Sequence, residues 1–115
     1  MIYRIVLQRL AAMDLDEAFA WVAKRAPETA ARWLDRFQDV IQALDKNPQR
    51  CPLARENAKV HLELRECLFG KRPNVFRILF LVDGATVRVL RILRAQRRFL
   101  TATQIAEAIR QVDEL

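Results

Sequence analysis

The sequence predicts an α+β domain: a four-stranded sheet with a helical hairpin on one face and a short closing helix, in the order β-α-α-β-β-β-α. Three observations predict it. Apolar residues recur at three- and four-residue steps between Leu15 and Leu44, the period of an amphipathic helix. Two β-branched apolar runs flank Asp83-Gly84, a hairpin signal. The chain has 115 residues, 52% of them hydrophobic, enough for one core. Two glycines and four prolines leave no linker or low-complexity segment, so residues 1–115 read as one domain.

The elements follow in order. Residues 2–7, IYRIVL, are apolar and β-branched and predict a strand. Asp14 with Glu17 three residues on fits a capping box. Leu15, Ala18, Phe19 and Val22 then predict a helix ending near Arg25. Pro27 suits the first position of a second helix, and Trp33, Leu34, Phe37, Val40, Ile41 and Leu44 continue it up to Asn47-Pro48. The short link makes these two helices an antiparallel hairpin. Residues 48–61 read as an irregular loop. Residues 62–69, LELRECLF, predict a strand ended by Gly70, and the Asp83-Gly84 hairpin supplies two more. Thr101 and Gln104 fit a second capping box, opening a helix over about 101–114 whose narrow apolar face is Ile105, Ala108, Ile109 and Val112.

Charge narrows the function. The formal net charge is +6 and the isoelectric point is near 10.1, which points to a polyanionic or acidic partner. Two cysteines without CxxC spacing and a single histidine exclude a zinc site. No metal or other cofactor is expected. Cys67, in the apolar context CLF, reads as a buried thiol. The first residues, MIYRIVLQRL, are too short and too charged for a signal peptide. No apolar run approaches the roughly 18 residues of a membrane span, so a cytoplasmic protein with no membrane partner is expected.

The hairpin 75–94 concentrates the arginines. With Asp83-Gly84 as the two loop residues, Val82 pairs with Ala85, Leu79 faces Arg88 and Arg77 faces Leu90. Strict alternation then puts Phe76, Ile78, Phe80, Val82, Ala85, Val87, Val89, Arg91 and Leu93 on one face. That face is almost wholly apolar and should receive the helical hairpin. The other face carries Val75, Arg77, Leu79, Leu81, Thr86, Arg88, Leu90, Ile92 and Arg94. Arg77 lies diagonally from Arg88, close enough to share a ligand. Two helices cover only one face, so Leu79, Leu81, Leu90 and Ile92 are expected to stay partly exposed as a cation-rimmed binding patch. The alternative is that the C-terminal helix covers it.

The segment LRECLFGKRPNVFRILFLVDGATVRVLRILRAQRR, the ARWLDRF helix and the element order together resemble the RelE/ParE superfamily of bacterial toxins. The resemblance spans nearly the whole chain. It implies a small twisted, mainly antiparallel sheet and a cognate antitoxin whose C-terminal segment wraps the toxin. It also implies one of two targets. RelE-like members cut mRNA in the ribosomal A site without a metal; ParE-like members bind and block DNA gyrase. Metal-free cleavage needs a base, an acid and cations for the phosphorane. Arg77 matches the phosphate-stabilising arginine of RelE-like enzymes, and Arg65 and Arg97 are further cations for such a site. The histidine or tyrosine that many RelE-like members carry after the last strand is missing from RILRAQRRFL. His61 and Tyr3 lie elsewhere, and arginine is a poor proton carrier. The balance favours a ParE-like binding toxin, in which Arg77, Leu79, Leu81, Arg88, Leu90, Ile92 and Arg94 contact antitoxin or target. The alternatives are an mRNA endoribonuclease and a degenerate member that binds its antitoxin but poisons nothing.

Overall fold

The computed structural model describes residues 1–113, with side chains through residue 110. The elements are β1 (Arg4–Leu7), α1 (Arg9–Arg25), α2 (Ala30–Gln42), β2 (Arg65–Phe69), β3 (Phe76–Asp83), β4 (Thr86–Arg94) and α3 (Ala102–Asp113). The predicted order is the observed one. Two short 3-10 turns, at Pro48–Arg50 and Arg55–Lys59, shape the segment read as irregular, and a third, at Ala43–Asp45, takes the place of the expected last turn of the second helix.

The sheet runs β1-β4-β3-β2. β2 and β3 pair antiparallel, as do β3 and β4, whereas β1 lies parallel to β4. The long α1–α2 hairpin makes this parallel pairing possible, since it carries the chain back over the sheet. Its face buries Phe37, Ile41 and Leu44 against Phe76, Ile78, Phe80, Val87 and Val89. Trp33, Phe37, Phe69 and Phe76 meet mostly edge to face, with ring centroids 4.5–5.9 Å apart, a favoured aromatic geometry.

Several local expectations change. Helix α1 begins at Arg9, so Asp14 sits inside it and caps nothing. Its carboxylate instead accepts from Arg91 Nε (2.7 Å), an Arg91 terminal nitrogen (3.1 Å) and the Ile92 N–H (2.9 Å). β1 stops pairing at Val89, and Asp14 satisfies a backbone donor of β4 beyond that point. Helix α2 begins at Ala30, three residues after Pro27. β1 and β2 are shorter than the runs 2–7 and 62–69.

The hairpin turns at Gly84-Ala85, with Asp83 opposite Thr86, one residue later than expected. Farther out, Phe80 pairs with Val89 but Leu79 pairs with Arg91. Leu90 is therefore an extra residue, a β-bulge that resets alternation. Ile92 consequently joins the core under the helical hairpin, and Leu93 joins the opposite one.

That opposite face is covered. Ala54, Leu64, Leu100, Ile105 and Ala108 pack on Leu79, Leu81, Leu90 and Leu93. Leu79, Leu81, Leu90 and Ile92, expected to be partly exposed, are 1%, 7%, 2% and 3% exposed. A short helix and an ordered loop segment together do what two helices alone do not. The predicted capping box forms: Thr101 Oγ1 accepts from Gln104 N–H (3.2 Å), and Gln104 Oε1 accepts from Thr101 N–H (2.9 Å). The Val112 side chain lies outside the described residues.

Candidate functional site

Arg77 lies in β3 between Leu68 of β2 and Leu93 of β4, facing the core under α3. A lone guanidinium there would be very costly. Two carboxylates resolve this. Glu56, on the 3-10 turn Arg55–Lys59, is fully buried and takes both terminal nitrogens of Arg77, at 3.0 and 2.6 Å. Glu66 of β2 takes the Nε. The Phe99 ring lies over the guanidinium, its centroid 5.2 Å away. Arg77 is only 4% exposed.

The same Glu56 accepts the Leu100 N–H at 3.1 Å, and Lys59 Nζ donates to the Leu100 carbonyl at 2.8 Å. Both backbone groups of Leu100 are thus tied to one turn, two residues before α3 starts. Burial pushes the Glu56 carboxyl upward, but the hydrogen bonds from Arg77 and from the Leu100 N–H outweigh it and hold its pKa below the ordinary value. Burial likewise works against the Arg77 charge, and bonding to Glu56 and Glu66 more than restores it, raising its pKa.

The remaining site candidates are dispersed. Arg65 pairs with Phe80, so the pleat turns it to the face opposite Arg77. Its guanidinium donates to the carbonyls of Cys51 (2.7 Å) and Gln49 (3.3 Å). Arg97 is exposed and lines a cleft of about 430 Å³ with Asp14, Glu17, Trp21 and Arg94. Arg94 lies over the Trp21 ring at 4.4 Å and bonds Asn74 and Gln96. Arg88 pairs with Leu81 and holds Asp83 at 2.9 Å. Leu81 is four residues along the strand from Arg77, about 13 Å at the usual strand rise. Arg77 and Arg88 therefore do not share a ligand. Arg91, placed by alternation on the face of the helical hairpin, is bonded to Asp14 there. His61 is exposed beside Glu63 and Arg65, and the Tyr3 hydroxyl accepts from Gln49 at 3.1 Å. Among the described residues the hydrogen-bond partners of Arg77 are Glu56 and Glu66.

Sequence reasoning passed over a cleft of about 570 Å³ between the α1–α2 turn and the β2–β3 loop. Trp21, Trp33, Phe69 and Phe76 give it aromatic walls, and Arg25, Arg32, Arg36 and Lys71 bring four cations to it. No carboxylate lines it. Among the described residues, these four cations make no ion pair. Gly70 closes its floor with φ of +106°, and a Cβ there would meet the Asn74 carbonyl at 2.4 Å, so only glycine fits. Part of the signal was available, since Arg32 and Arg36 stand four residues apart on one face of α2.

Among the described residues no group of three or more His, Cys, Asp or Glu side chains is placed to hold a metal ion. Among the described residues no helix is long and apolar enough to cross a membrane.

A four-stranded mixed sheet with a helical hairpin on one face and a short helix on the other is the architecture that the RelE/ParE resemblance implies. The sequence profile of the ParE toxin of type II toxin–antitoxin systems, parDE, matches residues 5–99. The chain belongs to the ParE toxin family. Among solved structures it is similar to a chain of the chromosomal ParDE toxin–antitoxin system from P. aeruginosa, with 23% identity and a TM-score of 0.66. That likeness covers 83% of this chain and 98% of the other and concerns the fold. No curated protein matches by sequence. Family membership makes the chain the toxin half of a two-protein module and implies a cognate antitoxin.

Proposed function

We propose that this toxin arrests growth by binding DNA gyrase in the cytoplasm and does not cut RNA. One observation carries the reading. Arg77, the side chain a RelE-like reaction needs at the phosphate, has every guanidinium nitrogen engaged by Glu56 or Glu66 and an aromatic ring across it. A cation that two carboxylates neutralise and that is only 4% exposed is withheld from a phosphorane, and neither His61 nor Tyr3 is among its partners. The aromatic cleft with its four unpaired cations suits an acidic protein segment, because guanidinium groups bind carboxylates strongly and specifically. We assign target contact to that cleft.

The test is supercoiling by purified gyrase alongside primer extension on mRNA from induced cells. The expected result is inhibited supercoiling with intact mRNA. Cuts within codons of ribosome-bound mRNA, with supercoiling unaffected, would make the protein an endoribonuclease. Arg77→Ala is a poor probe of catalysis here, because it strands a buried carboxylate and unsettles the fold.

A further inference from the structure

The chain's two cysteines lie opposite each other across an antiparallel ladder. Residues 52–54 run beside 64–66: Ala54 N–H donates to the Leu64 carbonyl (2.8 Å), and Glu66 N–H to the Pro52 carbonyl (3.0 Å). Leu53 bridges Arg65 between them. The 54/64 and 52/66 pairs are therefore hydrogen-bonded, and the alternate pairs are not. Continued one step outward, this register sets Cys51 opposite Cys67, at the place of a non-hydrogen-bonded pair. Such pairs bring Cα atoms to about 4.5 Å, inside the range a disulfide spans. Both side chains turn to the core beneath the helical hairpin, where Cys51 is buried and Cys67 packs against it. The two thiols are close enough for each to act on the charge of the other, and both are free.

We propose that Cys51 and Cys67 are a dithiol pair that a low-molecular-weight disulfide oxidises to an intramolecular disulfide. Cys67, the more exposed of the two, loses its proton to solvent and attacks one sulfur of the oxidant. One thiolate leaves, and a mixed disulfide remains on Cys67. Cys51 then loses its proton and attacks the Cys67 sulfur, expelling the second thiolate. Two protein thiols are oxidised and one small disulfide is reduced to two thiols. Burial first, and the neighbouring Cys51 second, push Cys67 up to about 11. Oxidation is therefore slow near neutral pH and accelerates as the thiolate fraction grows. The bond fastens β2 to the start of the segment that carries Glu56, and so tightens the turn holding Arg77 and Leu100. This is independent of the gyrase reading.

The experiment treats the folded full-length chain with glutathione disulfide and follows intact mass and iodoacetamide labelling. The expected product is two hydrogens lighter, with neither thiol alkylated. Its rate of formation should rise about tenfold per pH unit between 7 and 9. Amides within 53–64 should exchange more slowly in the oxidised form. Cys51→Ser should stop at one glutathione on Cys67, and Cys67→Ser should leave Cys51 unmodified, because its thiol is buried. If folded wild-type chain retains both thiols, or accumulates a lasting glutathione adduct, while urea-unfolded chain cyclises, the pair is not placed for a bond and the proposal fails.

Discussion

Glu56 does three things with one carboxylate: it neutralises Arg77, fills a fully buried position and anchors Leu100. Removing one partner of a buried ion pair costs about 3–5 kcal/mol, because the other charge stays behind. Glu56→Ala should lose that much in urea unfolding, and Arg77→Ala a similar amount. The pH dependence has a definite sign. The folded-state pKa of Glu56 lies below its ordinary 4.5, so the unfolded chain takes up the proton first as pH falls. The contribution of Glu56 is complete above about 4.5 and disappears as pH drops through its folded value. A stability profile should therefore fall off below pH 4.5 in wild type and be flatter in Glu56→Ala. None of this was legible in the sequence. Glu56 sits in a stretch without periodicity, and only tertiary folding brings it to Arg77. What was legible was the anomaly itself, arginines set into the most apolar hairpin.

At the scale of elements, periodicity found every helix and strand but misplaced several ends. Asp14 shows why. Its spacing to Glu17 fits a cap, but Arg9–Met13 are mostly good helix formers, and the carboxylate serves β4 instead. Asp14→Ala should leave the Ile92 N–H and Arg91 without their acceptor, at a cost of about 1–3 kcal/mol, read from urea denaturation. The bulge at Leu90 was hidden for a related reason. In Val89-Leu90-Arg91-Ile92-Leu93-Arg94 both Ile92 and Leu93 are apolar, so alternation cannot say which one faces the helical hairpin. Thr101 was read correctly because a capping box is local chemistry. Thr101→Ala should cost about 1 kcal/mol and speed amide exchange in α3 more than in β3 and β4.

Across the whole molecule, the family and fold were accessible from sequence, and the exposed surface was not. Covering the sheet's second face moved the candidate surface from Leu79, Leu81, Leu90 and Ile92 to the cleft at the α1–α2 turn. Sequence periodicity describes each helix alone and cannot show which loop will meet its charged side. The protein's net charge is +6, and four cations converge at that cleft. Arg32→Glu with Arg36→Glu should weaken gyrase inhibition by tenfold or more, about 1.4 kcal/mol, in supercoiling titrations. Arg9→Glu with Arg98→Glu changes net charge equally at two exposed positions away from the cleft, so inhibition should stay within about twofold, apart from a general electrostatic loss. Equal losses in both double variants would show that total charge, and not the cleft, governs target binding.

The parallel pairing of β1 with β4 has a bearing on synthesis. Residues 4–7 find their partners only at 86–89, so the first strand made waits for the last strand before the sheet can close. Contacts this distant in sequence form late in folding. A nascent chain that stops short of β4 has an unpaired amino-terminal strand and no second core, because Leu90 and Leu93 are missing. A toxin built this way is expected to stay inert through most of its own translation and to fold only near the end. Chains truncated after Gly84 should show no cooperative unfolding transition by circular dichroism, and their expression should leave growth unaffected.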